Sequence, residues 1–185
     1  MTEDGPGTLR AMSDDDLDQV LVWRNAPTVR RNMYTSHEIS AEEHRAWWRR
    51  MRDTRDRHDL IFEMSGRPLG VVSFSQVSQS DRNAVWAFYA ATDAPRGTGS
   101  RMEFAALDFA FEQLGLHKLS CEVLAFNEPV IKLHQKFGFS IEGIFRQHHR
   151  REEAFVDVVR LAILHHEWKS MRPAASGKLR ATAPR

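Results

Sequence analysis

The stretch NEPVIKLHQKFGF, Asn127 to Phe139, holds an imidazole where an apolar side chain would serve packing equally well. Asn127 and Pro129 open it as a helix and Gly138 closes it. Val130, Leu133, His134 and Phe137 recur at i, i+3, i+4 and i+7, on one face. His134 is therefore either a satisfied core histidine or an acid–base group held against apolar surface. A second titratable group stands in LSCEVLAF, where Glu122 is the single acid of a run that reads as a buried strand. An unpartnered carboxylate is costly to bury, so Glu122 must be paired, protonated or facing a wet cleft. In a cleft it could take a proton from an amine through a water. A third feature is the run Arg96, Gly97, Thr98, Gly99, Ser100, between a strand and a helix. Glycines allow close backbone approach, and the N–H groups of a helix start attract anions. The same run also makes an ordinary tight turn. It lacks the Gly-Lys-Ser/Thr ending of a Walker loop and the third glycine of a dinucleotide fingerprint.

The other candidates each have two readings. Arg24 closes the first helix, where it is either a solvated cation beside the helix C-terminus or a bidentate clamp on a diphosphate or carbonyl. His44 shares a helical stripe with Trp47, Trp48 and Met51, and the two tryptophans read as core. Ser73 and Ser75 alternate with Val72 and Phe74, so their hydroxyls share a face. By themselves they read as the polar face of a half-exposed strand. Tyr89 suits a packed strand as well as a site. The pairs His148–His149 and His165–His166 lack the spacing and the nearby acids of a zinc site, so no metal is expected.

Elements that could position these groups follow from the patterning. SDDDLDQVLVWRN is a capped amphipathic helix, and SAEEHRAWWRRM is another, with the capping box Ser40-x-x-Glu43. HDLIFEM, PLGVVSFSQV and AVWAFYAAT form a meander of antiparallel strands. After the glycine loop a helix is expected from about Arg101 to Leu114, then the strand with Glu122, the helix with His134, and a final strand pair. That order is a single mixed-sheet α/β domain.

Composition sets the frame. The chain has 185 residues, 42% apolar and 28% charged, with a net charge of +1, so the overall charge implies no nucleic-acid partner. No apolar run approaches the roughly 20 residues that span a bilayer. The first residues are acidic where a signal peptide is basic, so a cytoplasmic protein with no membrane partner is expected. Cys121 is the only cysteine, which excludes an internal disulfide. Residues 1–8 and the basic stretch 171–185 read as disordered, flanking a domain over 9–170.

Meander, Arg-Gly-x-Gly loop, amphipathic helix, strand and N-x-x-x-x-x-L-x-x-K-x-GF together resemble the GNAT N-acetyltransferases over about Leu9 to Trp168. The resemblance implies an α/β (α+β) fold, with a mixed, mostly antiparallel sheet and two parallel strands that splay apart. It implies acetyl-CoA as cosubstrate, with its pyrophosphate in the loop. Ala91, Arg96, Gly97, Thr98, Gly99, Ser100 and Asn127 then face the cofactor. One departure is Ala94, where the family often has Gln or Arg; Arg96 stands ready to supply that charge.

The segments WRNAPTVRRNMYTSHEIS, EEHRAWW and GVVSFSQV are similar to the N-acetyltransferases of pseudaminic acid synthesis, which act in flagellin and surface-glycan assembly. Those enzymes acetylate the 4-amino group of a UDP-linked 4-amino-4,6-dideoxy sugar. That similarity implies nucleotide-sugar contacts from Arg24, His44, Ser75, Gln76 and Tyr89. It also implies that Ser73 orients the amine and Glu122 accepts its proton. At His134 the family places a tyrosine that protonates the departing thiolate, so His134 is expected to be the general acid. Ribosomal-protein N-terminal acetyltransferases share the core and part of the WRN region. A coenzyme A-binding module without turnover also fits the missing tyrosine. Monomer and homodimer both stay open.

Overall fold

The structure is a computed structural model, and it describes residues 7–181. Residues 1–6 and 182–185, within the two segments expected to be disordered, lie outside the described residues. Seven strands form one sheet in the order β1-β2-β3-β4-β5-β7-β6. They are β1 (Thr8–Ala11), β2 (His58–Met64), β3 (Arg67–Ser78), β4 (Asn83–Ala90), β5 (Lys118–Leu124), β6 (Ser140–Arg151) and β7 (Ala154–Leu164). Every neighbouring pair is antiparallel except β4 and β5, which run parallel. The helices are α1 (Leu17–Asn25), α2 (Pro27–Arg30), α3 (Ala41–Met51), α4 (Thr98–Asp108), α5 (Glu128–Lys136) and α6 (His165–Ala181).

Alternation along the central strands divides the apolar residues between two faces. Phe62, Phe74, Trp86 and Leu119 point to the side covered by α4, α5 and α6. Ile61 and Val71 point to the other side, where Val20 and Trp23 of α1 and Trp48 of α3 close a smaller core. The expected capping of α3 is half present. Ser40 Oγ accepts from the Glu43 amide at 3.1 Å, while the Glu43 carboxylate turns to His37 at 3.0 Å. The helix expected from Arg101 starts earlier, at Thr98, and α4 passes into a π-helical turn over Phe109–Gln113.

Both expected termini are corrected. Thr8 begins β1, which pairs with β2 from Thr8↔Glu63 to Ala11↔Leu60. The stretch from 171, expected to be disordered, is helical as far as Ala181. Trp168 is fully buried and Leu179 is buried, with Met171 and Ala175 half-buried between them. The spacing 168, 171, 175, 179 is a helical stripe that docks on the main core. Pro173 and Gly177 lie inside this helix and mask it, since both residues usually end one.

The feature that makes room for a site is the parallel pair. β4 and β5 are joined only from Asn83↔Lys118 to Val85↔Ser120. Beyond Val85 the strands part, although β4 continues to Ala90 along β3 and β5 continues to Leu124 along β7. Backbone groups of the two strands that would have bonded across this gap are free to bind a ligand.

Candidate active site

The gap between the strands holds a cavity of about 230 Å³, with Tyr89, Glu122, Asn127 and His134 among its lining residues. They come from three elements, β4, β5 and the capped helix α5, and the splay brings them to one space. Thr28, Val29, Asn32 and Met33, from α2 and the turn after it, close its far side.

At one end of α4 lies the glycine loop. Gly97 has φ +92°, the left-handed region that side chains resist, and it caps the helix. A Cβ there would meet nothing within 4 Å, so the space above the loop is open. Thr98 binds Pro95 O through both its amide, at 3.1 Å, and its Oγ1, at 2.7 Å. That closes the turn and leaves the next amides, of Gly99 and Ser100, at the helix start without an intrahelical acceptor. A Cβ on Gly99 would touch Leu133 and Phe88 no closer than 3.6 Å, so the protein's own packing does not require glycine there. Arg96 is exposed beside the loop. Ala91 is buried just past β4, its amide bonded to Leu69 O at 2.8 Å. Asn127 caps α5 through its backbone and makes no side-chain cap bond, which leaves its carboxamide for the cavity. This arrangement fits an extended phosphate-bearing thioester, with its anionic end at α4 and its acyl end between the strands.

Glu122 is paired, as its place in a strand demands. Its Oε1 accepts from Arg160 Nη1 at 2.8 Å, and its Oε2 accepts from the Tyr34 hydroxyl at 2.9 Å. Arg160 also donates to Ser120 Oγ at 3.0 Å. Burial, helped by the neighbouring carboxylate, raises the Tyr34 phenol above its ordinary range, so it stays protonated and donates. Cys121 points to the opposite face of β5 and lines the cavity from there; it is buried, and burial and then Glu103 push its thiol up.

His134 is buried at the cavity wall against Trp86, Phe88 and Phe139. Its Nδ1 lies 2.7 Å from Oε1 of Glu103 on α4. Glu103 is fully buried, and burial pushes its carboxyl above the usual range while His134 pulls it partly back.

On the α1 and α3 side of the sheet, Arg24, His44 and Tyr89 lie together, close enough for Arg24 to act electrostatically on both of the others. Arg24 Nη2 donates to Thr35 O at 3.1 Å, while its Nη1 and the Nε2 of His44 are buried without a hydrogen-bond partner. Burial lowers the His44 imidazole below its ordinary value, with Arg24 adding to the shift. The ring stacks on Trp47 at 5.2 Å. Ser73 lies beside Ala87 of β4, with its hydroxyl donated to Asp59 at 2.6 Å. Asp59 in turn takes a bidentate contact from Arg57, at 2.7 and 2.8 Å. Ser75 and Gln76 lie at the closed end of the splay and do not line the cavity. Ser75 turns to Val85 O, and Gln76 sits exposed on a bulge with φ +53°.

Four functional side chains escaped the sequence reading. Glu103 recurs with Ala106, Leu107 and Ala110 at i+3, i+4 and i+7, so an acid in the buried stripe of α4 was a readable signal. Asp59 stands two residues from Arg57, the ordinary spacing of same-face partners on a strand. Arg160 meets Glu122 only through the β5–β7 register, and Tyr34 comes from an irregular segment without any pattern. Among the described residues, no group of three His, Cys, Asp or Glu side chains could hold a metal ion.

Comparison with known proteins agrees with this geometry. A family model described as an acetyltransferase (GNAT) domain matches residues 8–140. The spermidine N(1)-acetyltransferase of Escherichia coli K12 is 25% identical over 162 residues, covering 86% of this chain and 87% of that protein. The acetyltransferase PseH of Campylobacter jejuni is 25% identical over 131 residues, covering 70% of this chain and 80% of that one. The spermidine N-acetyltransferase of Vibrio cholerae, solved with CoA and spermine, superposes with a TM-score of 0.82 at 22% identity. That match covers 89% of this chain and 98% of the other.

Proposed function

This chain belongs to the GNAT acetyltransferase family and is an acetyl-CoA-dependent N-acetyltransferase; we propose that it acetylates the 4-amino group of a UDP-linked 4-amino-4,6-dideoxy sugar. The observation that carries the reading is the charge on the acceptor side. Glu122 is the single acid lining the cavity, and Arg160 already neutralises it. Arg24, with a buried unpartnered nitrogen, stands near the cavity residue Tyr89, and Arg151 donates to O of the cavity residue Met33 at 3.3 Å. Such a surface attracts a diphosphate and repels a polycation. The similarity to PseH points the same way.

The chemistry is direct attack. Glu122, through a water, takes the proton from the amine, and the neutral nitrogen attacks the thioester carbon. Free amides at the parted strand edges polarise the carbonyl oxygen and steady the charge that grows on it. His134, facing the leaving sulfur, supplies a proton as the C–S bond breaks. Cys121 also lines the cavity, but it is buried and burial keeps its thiol protonated, which favours direct attack by the amine over an acyl-cysteine. Thioester binding by the loop and the parted strands concentrates both reactants in one orientation.

A polyamine acceptor is the second reading, because relatives matched over most of their length are named spermidine acetyltransferases. Coenzyme A release measured with a UDP-4-amino sugar, spermidine and an N-terminal peptide separates the three acceptor classes. The proposal expects turnover with the sugar, competition by UDP alone, and weaker competition after Arg24→Ala. Turnover with spermidine or peptide that UDP leaves untouched would overturn it.

A further inference from the structure

Burying a histidine and a glutamate together, on facing helices behind the reaction cavity, is unexplained by packing alone. Their side chains are 3% and 0% exposed, and Nδ1 of His134 meets Oε1 of Glu103 at 2.7 Å. The second oxygen, Oε2, is buried with no hydrogen-bond partner. The imidazole is the hydrogen-bond partner of this carboxyl group. Nε2 of His134 is not among the enclosed, unpartnered atoms, and the residue lines the cavity, so this nitrogen looks toward the parted strands.

We propose that Glu103 and His134 work as one proton-carrying pair, in which Glu103 is the positioning residue that keeps an N–H on the cavity-facing nitrogen. The inference rests on the acetyl-transfer reading of the cavity. With one proton between Nδ1 and Oε1 and another on Nε2, the pair is electrically neutral, whichever partner holds the shared proton. Removing a proton leaves one net negative charge in an apolar wall, which burial opposes. The raised carboxyl of Glu103 has the same cause. The groups that face the pair from the neighbouring strands are apolar or neutral. β4 presents Trp86 and Phe88, and Phe139 lies against the ring; β5 presents the protonated Cys121 thiol, with Glu122 and its partner Arg160 on the far side of that strand.

The step balances. The amine nitrogen bonds to the acyl carbon, and the C–S bond breaks with its electron pair going to sulfur. The Nε2 proton passes to sulfur, while the shared proton settles on Nδ1 opposite a carboxylate. The proton released by the amine returns to Nε2 through solvent and restores the neutral pair. A tyrosine donor carries its proton without help; a histidine in an apolar wall requires the carboxylate to keep it.

The test combines kinetics with a readout independent of turnover. Glu103→Gln keeps shape and hydrogen bonding but removes the charge. A doubly protonated imidazole then becomes a net cation in the wall, which burial disfavours. kcat is expected to fall about tenfold or more, and its alkaline limb to move to lower pH, with acceptor KM and acetyl-CoA affinity nearly unchanged. In a His134→Phe background the same substitution is expected to change kcat by less than about twofold, because Glu103 acts through His134. Additive effects in the two backgrounds, or an unmoved pH limb, would overturn the proposal. Nitrogen-15 spectra of the histidine rings in the wild-type chain need no variant to fold. Nε2 of His134 should read as protonated at neutral pH, with Nδ1 shifted by a hydrogen bond, whereas a bare Nε2 would refute the pair. That measurement stands even if every acceptor tried fails, so loss of the acetyl-transfer reading remains distinguishable from loss of this one.

Discussion

Replacing Glu122 with Gln separates the two roles its carboxylate can have. The structural part is small. The contact to Arg160 at 2.8 Å joins side chains 30% and 27% exposed, so solvent screens it, and its worth is about 1 kcal/mol. Glutamine keeps an acceptor oxygen for either Arg160 or Tyr34, which retains part of that. A loss of about 1 kcal/mol lowers Tm by about 2–4 °C in a chain of this size. The catalytic part is much larger. A general base contributes a factor of about 10²–10⁴, equivalent to about 2.7–5.4 kcal/mol of barrier. The assay is therefore paired: thermal unfolding beside kcat from coenzyme A release with the preferred acceptor. A fall of 10² or more in kcat with only a few degrees lost in Tm supports proton removal by Glu122. If kcat stays within about threefold of wild type while Tm drops, the carboxylate serves only to hold Arg160 and Tyr34, and proton removal belongs to bulk water.

Three further outcomes follow from the geometry. Gly97→Val forces a side chain into a backbone at φ +92° and into the open space above the loop, so calorimetry should show acetyl-CoA affinity reduced by tenfold or more, about 1.4 kcal/mol. The folded His44 titrates below its unfolded value near 6.5, so the unfolded chain binds the extra proton first. Stability contributed by His44 is thus present above about pH 6.5 and lost as pH falls toward the folded value; urea unfolding at two pH values should show that loss, and His44→Leu should flatten it. Ending the chain after Ser170 removes Met171, Ala175 and Leu179 from the core, and Tm should drop by several degrees; an unchanged Tm would mean that this part of α6 adds nothing.

Much of this protein follows from local pattern. The period-3.6 stripes of α1, α3, α4 and α5 and the meander are set by residues near one another in sequence, so they were legible. So were Gly97 at a loop-to-helix junction, Glu122 alone in a buried strand and His134 on an apolar stripe, because each conflicts with its immediate surroundings. Two misses came from local rules that tertiary packing overrode. Pro173 and Gly177 weaken α6, yet burial of Trp168 and Leu179 on the core outweighs that cost. β1 is four residues long and exists only because β2 offers it an edge.

Partnership was decided by the fold alone. What pairs with Glu122 depends on the register that sets Arg160 opposite it and on a loop that delivers Tyr34 from 88 residues away. What His134 Nδ1 bonds to is Glu103, 31 residues away on another helix. A sequence shows which side chains are out of place in an apolar run. Only the packed structure settles what compensates them, because the electrostatic cost of burial is met by groups distant in the chain and adjacent in space.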